Sequence, residues 1–330
     1  MWASSAYANS HLSTEHDQPT TIIGEGIYPN DILYSPGMAP LEELNSLQLQ
    51  QTEEEYSALS ETGSTPIYLS GKHLTSYTYA KHLTERLLLS RYKPKLPNLM
   101  IFRPSAIGPA LQEPFPRYER LGSTPVTTIL SFTISAPNQT IEFPSRGGFS
   151  GLVDEIPVDI CMNQLLAHVS SGTTGIVHAV AGAENCLTLG DYWREYLCSV
   201  PFSERPSIKW VDDTILRTPE SQSQLLLNPV LRLFCYLGAS FDFAKGKTEK
   251  VWGKMGEKER EILPLKVAGR EELEWALKLR KKRTGAAITA EFVRMDNKFF
   301  ADTASREVHE ANSVEGLTWT HPEGKDYGFI

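Results

Sequence analysis

The sequence predicts an α/β fold: an incomplete, doubly wound parallel sheet followed by a mainly helical C-terminal region. Two apolar segments, 98–104 ("NLMIFRP") and 175–181 ("GIVHAVA"), have the length and composition of buried strands, and a helical pattern precedes each of them. This helix–strand order is typical of βα units that feed a parallel sheet. From about residue 186 the pattern is mainly helical, so we predict two domains, 1–185 and 186–330.

The elements before residue 98 follow from local composition. Residues 2–8 ("WASSAYA") are short and apolar, as in an inner strand whose preceding segment is missing. Residues 10–66 are polar and contain several Pro and Gly turn signals, with one helix predicted at about 40–59. A longer helix is predicted at 72–91, because leucines recur on one of its sides.

The later elements have clear boundary residues. The strand at 98–104 ends at Pro104, which cannot donate a hydrogen bond to a neighbouring strand. A helix at 157–170 begins with Pro157 and Asp159, residue types favoured in a first turn, and we interpret Asp159 as a helix cap. Further helices are predicted at 188–199, 222–238, 245–260 and 269–283, before a loosely packed polar tail at 303–330.

Charge and hydropathy argue against two classes of protein. A formal net charge of −8 argues against a general nucleic-acid binder, because phosphate contacts need clustered Lys and Arg. The one dense basic run, 278–283, is interpreted as a solvated helix face. The most apolar stretch, 225–243, is interrupted by polar residues and Pro229, so it falls short of the ~20 apolar residues that a membrane span needs. We predict a buried or interfacial helix there.

The cysteines predict neither a disulfide framework nor a metal site. They lack C-x-x-C spacing and lie among apolar residues, which is typical of reduced core cysteines in an intracellular protein. The four are Cys161, Cys186, Cys198 and Cys235.

One helical pair is suited to acid–base chemistry. Tyr77 and Lys81 are four residues apart and therefore project from one face of the predicted helix. An ammonium close to a phenol lowers its pKa from the reference value of about 10, which makes the tyrosine a usable general acid in carbonyl reduction. A solvated helix face is the competing interpretation. Ser4 and Ser5, at the end of the first predicted strand, favour a site, because open α/β sheets place site residues there.

Four segments, in order, resemble a known family. They read "ASSAYAN" (3–9), "GKHLTSYTYAKHLTE" (71–85), "RPSAIGPALQEPFPRY" (103–118) and "DEIPVDICMN" (154–163). In these segments the chain resembles the fatty acyl-CoA reductases, which belong to the extended short-chain dehydrogenase/reductase class. The resemblance implies a Rossmann-like NAD(P)-binding domain. It also implies NADPH-dependent reduction of long-chain acyl-CoA, through the aldehyde, to a fatty alcohol.

The resemblance also implies catalytic roles. Tyr77 matches the family's proton donor. Lys81 matches the lysine that lowers the tyrosine pKa and binds the nicotinamide ribose. Ser5 falls on the hydroxyl that holds the substrate carbonyl, with Ser4 as the second choice.

Two further segments are implied to contact ligands. The resemblance implies that a turn faces the nicotinamide together with Tyr77 and Lys81; this turn comprises Pro104, Ser105 and Ala106. It also implies that a second segment shapes the mouth of the acyl site beside Ser5. That segment comprises Glu113, Pro114 and Phe115, and a simple turn explains it nearly as well. Arg103 is expected to tie its strand to the neighbouring helix. His73 and His82 are expected to be exposed helix residues.

The cofactor half of such a site is not visible. A dinucleotide site needs a glycine-rich turn between a strand and a helix, and the sequence contains no G-x-x-G-x-x-G. The segments "GEG" (24–26) and "RGGFSG" (146–151) are interpreted as loops. We therefore expect a chain that lacks the family's N-terminal cofactor-binding segment. We favour the explanation that it is a truncated gene product or gene model. A shortened isoform and a second chain that supplies the missing strands are the alternatives.

Other functions stay open at this point. The chain resembles an enzyme, and its activity without the missing segment is left open. An alternative is that the chain is a different extended reductase, which acts on sugars or sterols or stops at the aldehyde. A non-catalytic remnant that acts as a binding protein is the alternative from another class. We expect an intracellular location, either cytoplasmic or peripheral to the endoplasmic reticulum or peroxisome membrane. A peripheral membrane contact through 225–243 and the oligomeric state stay open.

Overall fold

The computed structural model describes most of the predicted sheet and its helices. The described residues are 1–15, 20–29, 38–63, 65, 73, 76–92, 98–119, 124–126, 140–144, 148–198, 202–211 and 240–274. Several predictions therefore fall outside the described residues, namely the helix at 222–238, Cys235, most of 225–243, the basic run at 278–283 and the tail at 303–330.

The strands are short. Their bounds are β1 Trp2–Ala3, β2 Thr20–Ile23, β3 Met100–Pro104, β4 Ala106–Gly108, β5 Thr140–Pro144, β6 Leu152–Val153, β7 Glu155–Pro157, β8 Gly175–Ala179, β9 Leu187–Thr188, β10 Ser207–Val211 and β11 Ser240–Phe243. Strands β3 and β8 confirm the two buried strands that the sequence predicts.

The helices also follow the predicted pattern. Their bounds are α1 Ser46–Thr62, α2 Ser76–Arg91, α3 Val158–Ser170, α4 Leu189–Leu197, α5 Gly246–Lys254 and α6 Glu257–Ile262. Short 3₁₀ segments lie at Ala6–Glu15, Gly148–Ser150, Ala183–Asn185 and Phe202–Glu204. Helix α1 begins with a reciprocal capping box between Asn45 and Gln48 and ends at Gly63, which has a positive φ of 71°.

The central sheet is parallel, with the order β1–β3–β8. Ile101 of β3 lies in register between Trp2 of β1 and Ile176 of β8. Phe102 packs into a core with residues of α3 and α4, whereas its neighbour Ile101 packs with Leu89 of α2. Because successive side chains of a strand point to opposite faces, helices cover both faces of the sheet. The α/β fold class with a doubly wound parallel sheet is confirmed.

Strands β10 and β11, both beyond residue 186, were not predicted from the sequence. Strand β10 pairs in parallel with β5, and β11 pairs in parallel with β2, so both pairings cross the predicted domain boundary. Each strand has only four or five residues, which is too short for its periodicity to compete with the surrounding helical pattern. The division into domains 1–185 and 186–330 stays a prediction.

Side chains satisfy the outer edge of β8. The Glu25 carboxylate accepts a hydrogen bond from the His178 N–H at 3.1 Å, and Lys247 Nζ donates to the Ile176 carbonyl at 2.8 Å. Thr248 Oγ1 donates to the His178 carbonyl at 3.4 Å. Buried backbone groups need partners, and an edge filled in this way cannot template a further strand. The sheet therefore ends at β8 by side-chain capping.

A buried ion pair joins helix α2 to strand β3. Arg103 bonds both carboxylate oxygens of Glu85, with Nε to Oε1 at 2.8 Å, and both side chains are fully buried. Arg103 also donates to the carbonyl of Gly26 at 2.9 Å. Arg103 thus ties its strand to the neighbouring helix, and this confirms its predicted structural role.

Breaking this pair is expected to destabilise the fold strongly. Glu85→Gln leaves the Arg103 charge buried without a counter-charge, and we expect a loss of about 3 kcal/mol in the free energy of unfolding. Glu53→Gln is the matched control, because Glu53 of α1 pairs with Arg91, which lies on α2 like Glu85. The side chains of this pair are about 40% exposed, and exposed pairs contribute about 1 kcal/mol or less. Urea unfolding followed by circular dichroism gives both values. Equal losses in the two variants would refute the assignment.

Buried neutral histidines make the stability dependent on pH. His168 lies between the hydroxyls of Thr173 and Thr248, at 3.1 and 3.0 Å, and its burial together with Lys247 lowers its pKa to about 4. In the unfolded chain a histidine titrates near pH ~6.5. Between these values the unfolded chain binds more protons than the folded chain, so stability falls as the pH falls through this window.

The variant His168→Gln is expected to remove this contribution. Between pH 7.5 and 5.5 the wild type should lose about 1.4 kcal/mol more unfolding free energy than the variant, because the unfolded state alone protonates there. Urea titrations at the two pH values measure the difference. The same loss in both proteins would contradict the role of His168.

Candidate active site

Polar side chains gather at the carboxyl ends of the central strands. Ser4 and Ser5 follow β1, Ser105 follows β3, and Gly182 lies just beyond β8. The carboxyl ends of parallel strands share one edge of a sheet, and open α/β folds bind their ligands there. This edge is therefore the candidate site.

Ser5 and Tyr77 meet at this edge. The Ser5 hydroxyl lies close enough to the Tyr77 phenol to oppose the rise of its pKa, and Ser5 Oγ accepts the Tyr7 N–H at 3.2 Å. Ser5 is buried, whereas 54% of Tyr77 is exposed, so the phenol is anchored while its ring remains accessible. Ser4 lies elsewhere: its N–H donates to the Phe102 carbonyl, and its buried hydroxyl has no hydrogen-bond partner among the described residues. The geometry brings Ser5, rather than Ser4, to the tyrosine.

Lys81 contacts the ring of Tyr77 rather than its hydroxyl. Its Nζ lies 5.6 Å from the centroid of the Tyr77 ring and 5.9 Å from that of Trp2, which is within cation–π range. The same ammonium donates to the carbonyl of Ala3 at 3.3 Å, on the edge of β1. Partial burial lowers the pKa of Lys81, and Glu85 opposes this shift.

The predicted lowering of the Tyr77 pKa is wrong for this chain on its own. Burial raises the pKa of the Tyr77 phenol, and only the hydrogen bond from Ser5 opposes the rise. Lys81 makes no difference here because its ammonium faces the ring and the β1 carbonyl. Solvent reaches the half-exposed ring and tempers the rise. At neutral pH the phenol is therefore protonated.

Ser5→Ala is expected to raise the pKa of Tyr77 further, because the variant loses the one interaction that favours the phenolate. Nuclear magnetic resonance of ¹³C-labelled tyrosine, assigned with Tyr77→Phe, follows the titration. Ser4→Ala is the control and should leave the pKa of Tyr77 unchanged. An unshifted pKa in Ser5→Ala would show that the serine does not act on the phenol.

The turn after β3 uses its amides within the protein. The Ser105 N–H donates to the Ala179 carbonyl at 2.9 Å, and the Ala106 N–H donates to the Asp154 carbonyl at 3.2 Å. Pro104 has no N–H to offer. The amides of this turn are therefore not free to bind a cofactor. The role of Pro104, Ser105 and Ala106 in cofactor binding stays a prediction that would have to use other atoms.

Asp154 is a site-forming residue that the sequence did not reveal. Its buried carboxylate accepts hydrogen bonds from Ser105 Oγ at 2.6 Å, from the Ala181 N–H at 3.0 Å and from the Gly182 N–H at 3.1 Å. Burial raises the pKa of Asp154, while these three bonds oppose the rise. Asp154 thus joins the carboxyl ends of β3 and β8. The available signal was an acidic residue directly after the apolar pair Leu152–Val153, at the end of a short strand.

The interpretation of Asp159 as a helix cap describes only part of its role. The cap position of α3 is occupied by Pro157, but Asp159 Oδ1 accepts one first-turn N–H, that of Ile160, at 3.1 Å. The Asp159 carboxylate also accepts the N–H groups of three successive residues in another segment, at 3.1, 2.8 and 3.1 Å, namely Leu111, Gln112 and Glu113. A contact between segments so far apart in sequence leaves no local pattern, so the first-turn signature could not reveal it.

The predicted substrate residues lie on the segment that Asp159 holds. Glu113 and Phe115 are both exposed, and the Phe115 ring packs edge-to-face against Tyr118 with centroids 5.3 Å apart. The segment follows β4 and therefore begins at the carboxyl end of a strand. Their role in substrate binding stays a prediction.

Two predicted surface histidines are buried. His73 and His82 are 3% and 0% exposed, and both pack against His11 with ring centroids 4.6 and 4.8 Å away. His82 also bonds the Tyr28 carbonyl at 2.8 Å through Nε2. Burial, Arg86 and the two other rings hold the pKa of His82 well below its usual value. The prediction failed because His82 of α2 and His73, which precedes the helix, both pack against His11 of the first 3₁₀ segment.

The described cysteines form neither a disulfide nor a metal site. The three cysteines that the structure describes are free; Cys161 and Cys186 are buried and Cys198 is exposed, unlike the predicted core residue. Burial raises the pKa of the Cys161 thiol to about 12. Within the described part of the chain, no three His, Cys, Asp or Glu residues are arranged to hold a metal ion. Nor does a described helix have the length and apolar character to cross a membrane.

The described residues offer groups that could hold the nicotinamide ribose of a dinucleotide, but they form no cradle for its pyrophosphate. The accessible Tyr77 ring and the Lys81 ammonium are the groups that could hold a ribose. The glycine-rich candidate does not offer a phosphate cradle, because an added Cβ at Gly24 or Gly26 would lie 2.7 or 2.6 Å from Pro40. The space above these glycines is filled by Pro40 of the protein, where a phosphate would need room. Gly148–Ser150 forms only a 3₁₀ turn, and no described residues form a glycine-rich strand–turn–helix.

Comparison with solved structures gives distant similarity. A UDP-N-acetylglucosamine 4-epimerase from Methanobrevibacter ruminantium has 12% identity and a TM-score of 0.39, over 84% of this chain and 64% of the other. A Thermus thermophilus UDP-glucose 4-epimerase solved with NAD has 11% identity and a TM-score of 0.37, over 81% of this chain and 64% of the other. The human epimerase family protein SDR39U1, solved with NADPH, has 9% identity and a TM-score of 0.37, over 83% of this chain and 73% of the other.

Similarity at this level does not assign an activity, and the fold class is shown by the parallel order β1–β3–β8 itself. The chain spans less than two thirds of the length of the first two epimerases. No family model and no curated protein matches the sequence.

Proposed function

We propose that this chain contributes the catalytic residues of an NADPH-dependent reductase of the extended short-chain dehydrogenase/reductase class. Its substrate is a long-chain fatty acyl-CoA, and its product is a fatty alcohol formed through the aldehyde. One observation carries the proposal: Ser5 and Tyr77, far apart in sequence, come together beside Lys81 at the carboxyl edge of a parallel sheet. These residues lie in the segments that resemble the fatty acyl-CoA reductases.

The residues present would manage the proton and the developing negative charge. NADPH, when bound, would supply the hydride. The Tyr77 phenol carries its proton at neutral pH and can donate it to the substrate oxygen, although its raised pKa makes it a weaker acid than a free tyrosine. The Ser5 hydroxyl accepts the Tyr7 N–H and can turn its single proton from the Tyr77 phenol to that oxygen. The Lys81 ammonium, which faces the ring and the Ala3 carbonyl, could hold the ribose of the cofactor.

The finer parts of the proposal rest on the resemblance. They comprise the choice of NADPH over NADH, the acyl-CoA substrate and the intracellular location, either cytoplasmic or peripheral to the endoplasmic reticulum or peroxisome membrane. A physical feature supports an apolar substrate, namely the exposed aromatic pair of Phe115 and Tyr118 near the carboxyl end of β4. Exposed aromatic side chains are suited to apolar ligands.

A second candidate is a binding protein without catalysis. The observation that favours it is the packing of Pro40 against Gly24 and Gly26, where a phosphate cradle would need open space. Titration of the chain with NADPH separates the candidates. Saturable binding supports the reductase, whereas its absence supports the binding protein.

Tyr77→Phe is expected to reduce alcohol formation about 10²-fold or more, because a positioned proton donor contributes about this much to a rate. The assay follows NADPH oxidation by the natural chain with dodecanoyl-CoA and identifies the alcohol by gas chromatography. Tyr92→Phe is the matched control, since Tyr92 follows the same helix and is exposed to a similar degree, 47% against 54%. Undiminished turnover in Tyr77→Phe, with Tyr92→Phe also active, would refute the proposed function.

A further inference from the structure

A single carboxylate holds one side of the loop 110–118. Asp159 Oδ1 accepts the Leu111 N–H at 3.1 Å, and Oδ2 accepts the N–H groups of Gln112 and Glu113 at 2.8 and 3.1 Å. Successive backbone N–H groups that converge in this way form a concave anion site, here filled by the protein's own carboxylate. Charged acceptors make hydrogen bonds about twice as strong as neutral ones.

The same loop is closed at its base by backbone hydrogen bonds. The Arg117 N–H donates to the Ala110 carbonyl at 2.8 Å, and the Ala110 N–H donates to the Tyr118 carbonyl at 3.0 Å. The Tyr118 N–H donates to the Phe115 carbonyl at 3.1 Å. Together with Asp159, these bonds give an exposed surface loop a defined backbone.

The loop presents two aromatic rings to solvent. Phe115 and Tyr118 are 48% and 44% exposed and pack edge-to-face, at 5.3 Å and 83°. Prolines on both sides of Phe115, Pro114 and Pro116, restrict its backbone further. An aromatic surface on a restrained backbone binds an apolar ligand with little ordering of its own.

We propose that Asp159 is a positioning residue that holds loop 110–118 so that Phe115 and Tyr118 form a platform for the acyl chain of the substrate. This inference rests on the proposed function and extends it to a residue outside the catalytic set. Asp159 acts through the loop backbone and does not touch the reacting atoms. Its loss should therefore weaken the binding of the acyl chain and leave the chemical step unchanged.

Asp159→Asn tests the proposal on the full chain. The amide keeps one acceptor oxygen, whereas its NH₂ group faces loop N–H groups that it cannot bond. The probes are dodecanoyl-CoA and free coenzyme A, titrated by calorimetry. In the wild type the acyl chain should improve affinity, and Asp159→Asn should reduce that improvement about tenfold. In turnover assays KM for dodecanoyl-CoA should rise while kcat stays the same.

Asp191→Asn is the matched control. Asp191 is also a first-turn carboxylate, on α4, but it bonds Thr188 and Arg270 rather than the loop. Hydrogen exchange provides a direct readout of the backbone: Asp159→Asn should speed exchange at the amides of 111–113, and Asp191→Asn should not. If Asp159→Asn does not fold, Asp159→Ser takes its place, since its hydroxyl cannot span three amides.

The outcomes separate this inference from the proposed function. Loss of the acyl preference in Asp159→Asn and in Phe115→Ala supports the platform, even if no reduction by NADPH occurs. An acyl preference that survives Asp159→Asn overturns the platform, even if the chain is an active reductase. A wild type that binds dodecanoyl-CoA no better than coenzyme A also overturns it.

Discussion

The candidate site depends on the buried ion pair between Arg103 and Glu85. Arg103 lies on β3 and Glu85 on α2, so the pair fixes the helix that carries Tyr77 and Lys81 against the strand that leads into Ser105. Two buried charges are tolerated only when each satisfies the other, and this requirement allows little variation in how the helix sits on the sheet. The contact between Ser5 and Tyr77 follows from that placement.

Carboxylates that accept backbone N–H groups organise the rest of the sheet. Glu25 caps the outer edge of β8, Asp154 joins the ends of β3 and β8, and Asp159 holds the loop after β4. In each case an acidic side chain replaces a partner that regular secondary structure does not provide at that point. Short strands with few ladder bonds can thus form a defined edge at which the polar residues of the candidate site gather.

The electrostatics of Tyr77 change how its chemistry is understood. A helical tyrosine–lysine pair suggests an acidified phenol, yet partial burial has the opposite effect and leaves the phenol protonated. Lys81 stands over the ring and bonds the carbonyl of Ala3, so it does not lower the pKa of the phenol. A protonated phenol beside a serine hydroxyl can deliver a proton to a reduced carbonyl.

The sequence by itself determined the three strands of the central sheet and the order of the helices that pack on them, because buried strands and amphipathic helices are encoded by local apolar periodicity. It also placed Tyr77 and Lys81 on one helix face and identified Arg103 as structural. Only the tertiary structure decided that Ser5 meets Tyr77, that Asp159 holds a distant loop, and that β2 pairs with β11. It also buried His73 and His82 and raised the pKa of Tyr77. Packing between distant segments sets contacts, burial and desolvation, and none of these leaves a periodic trace in the chain.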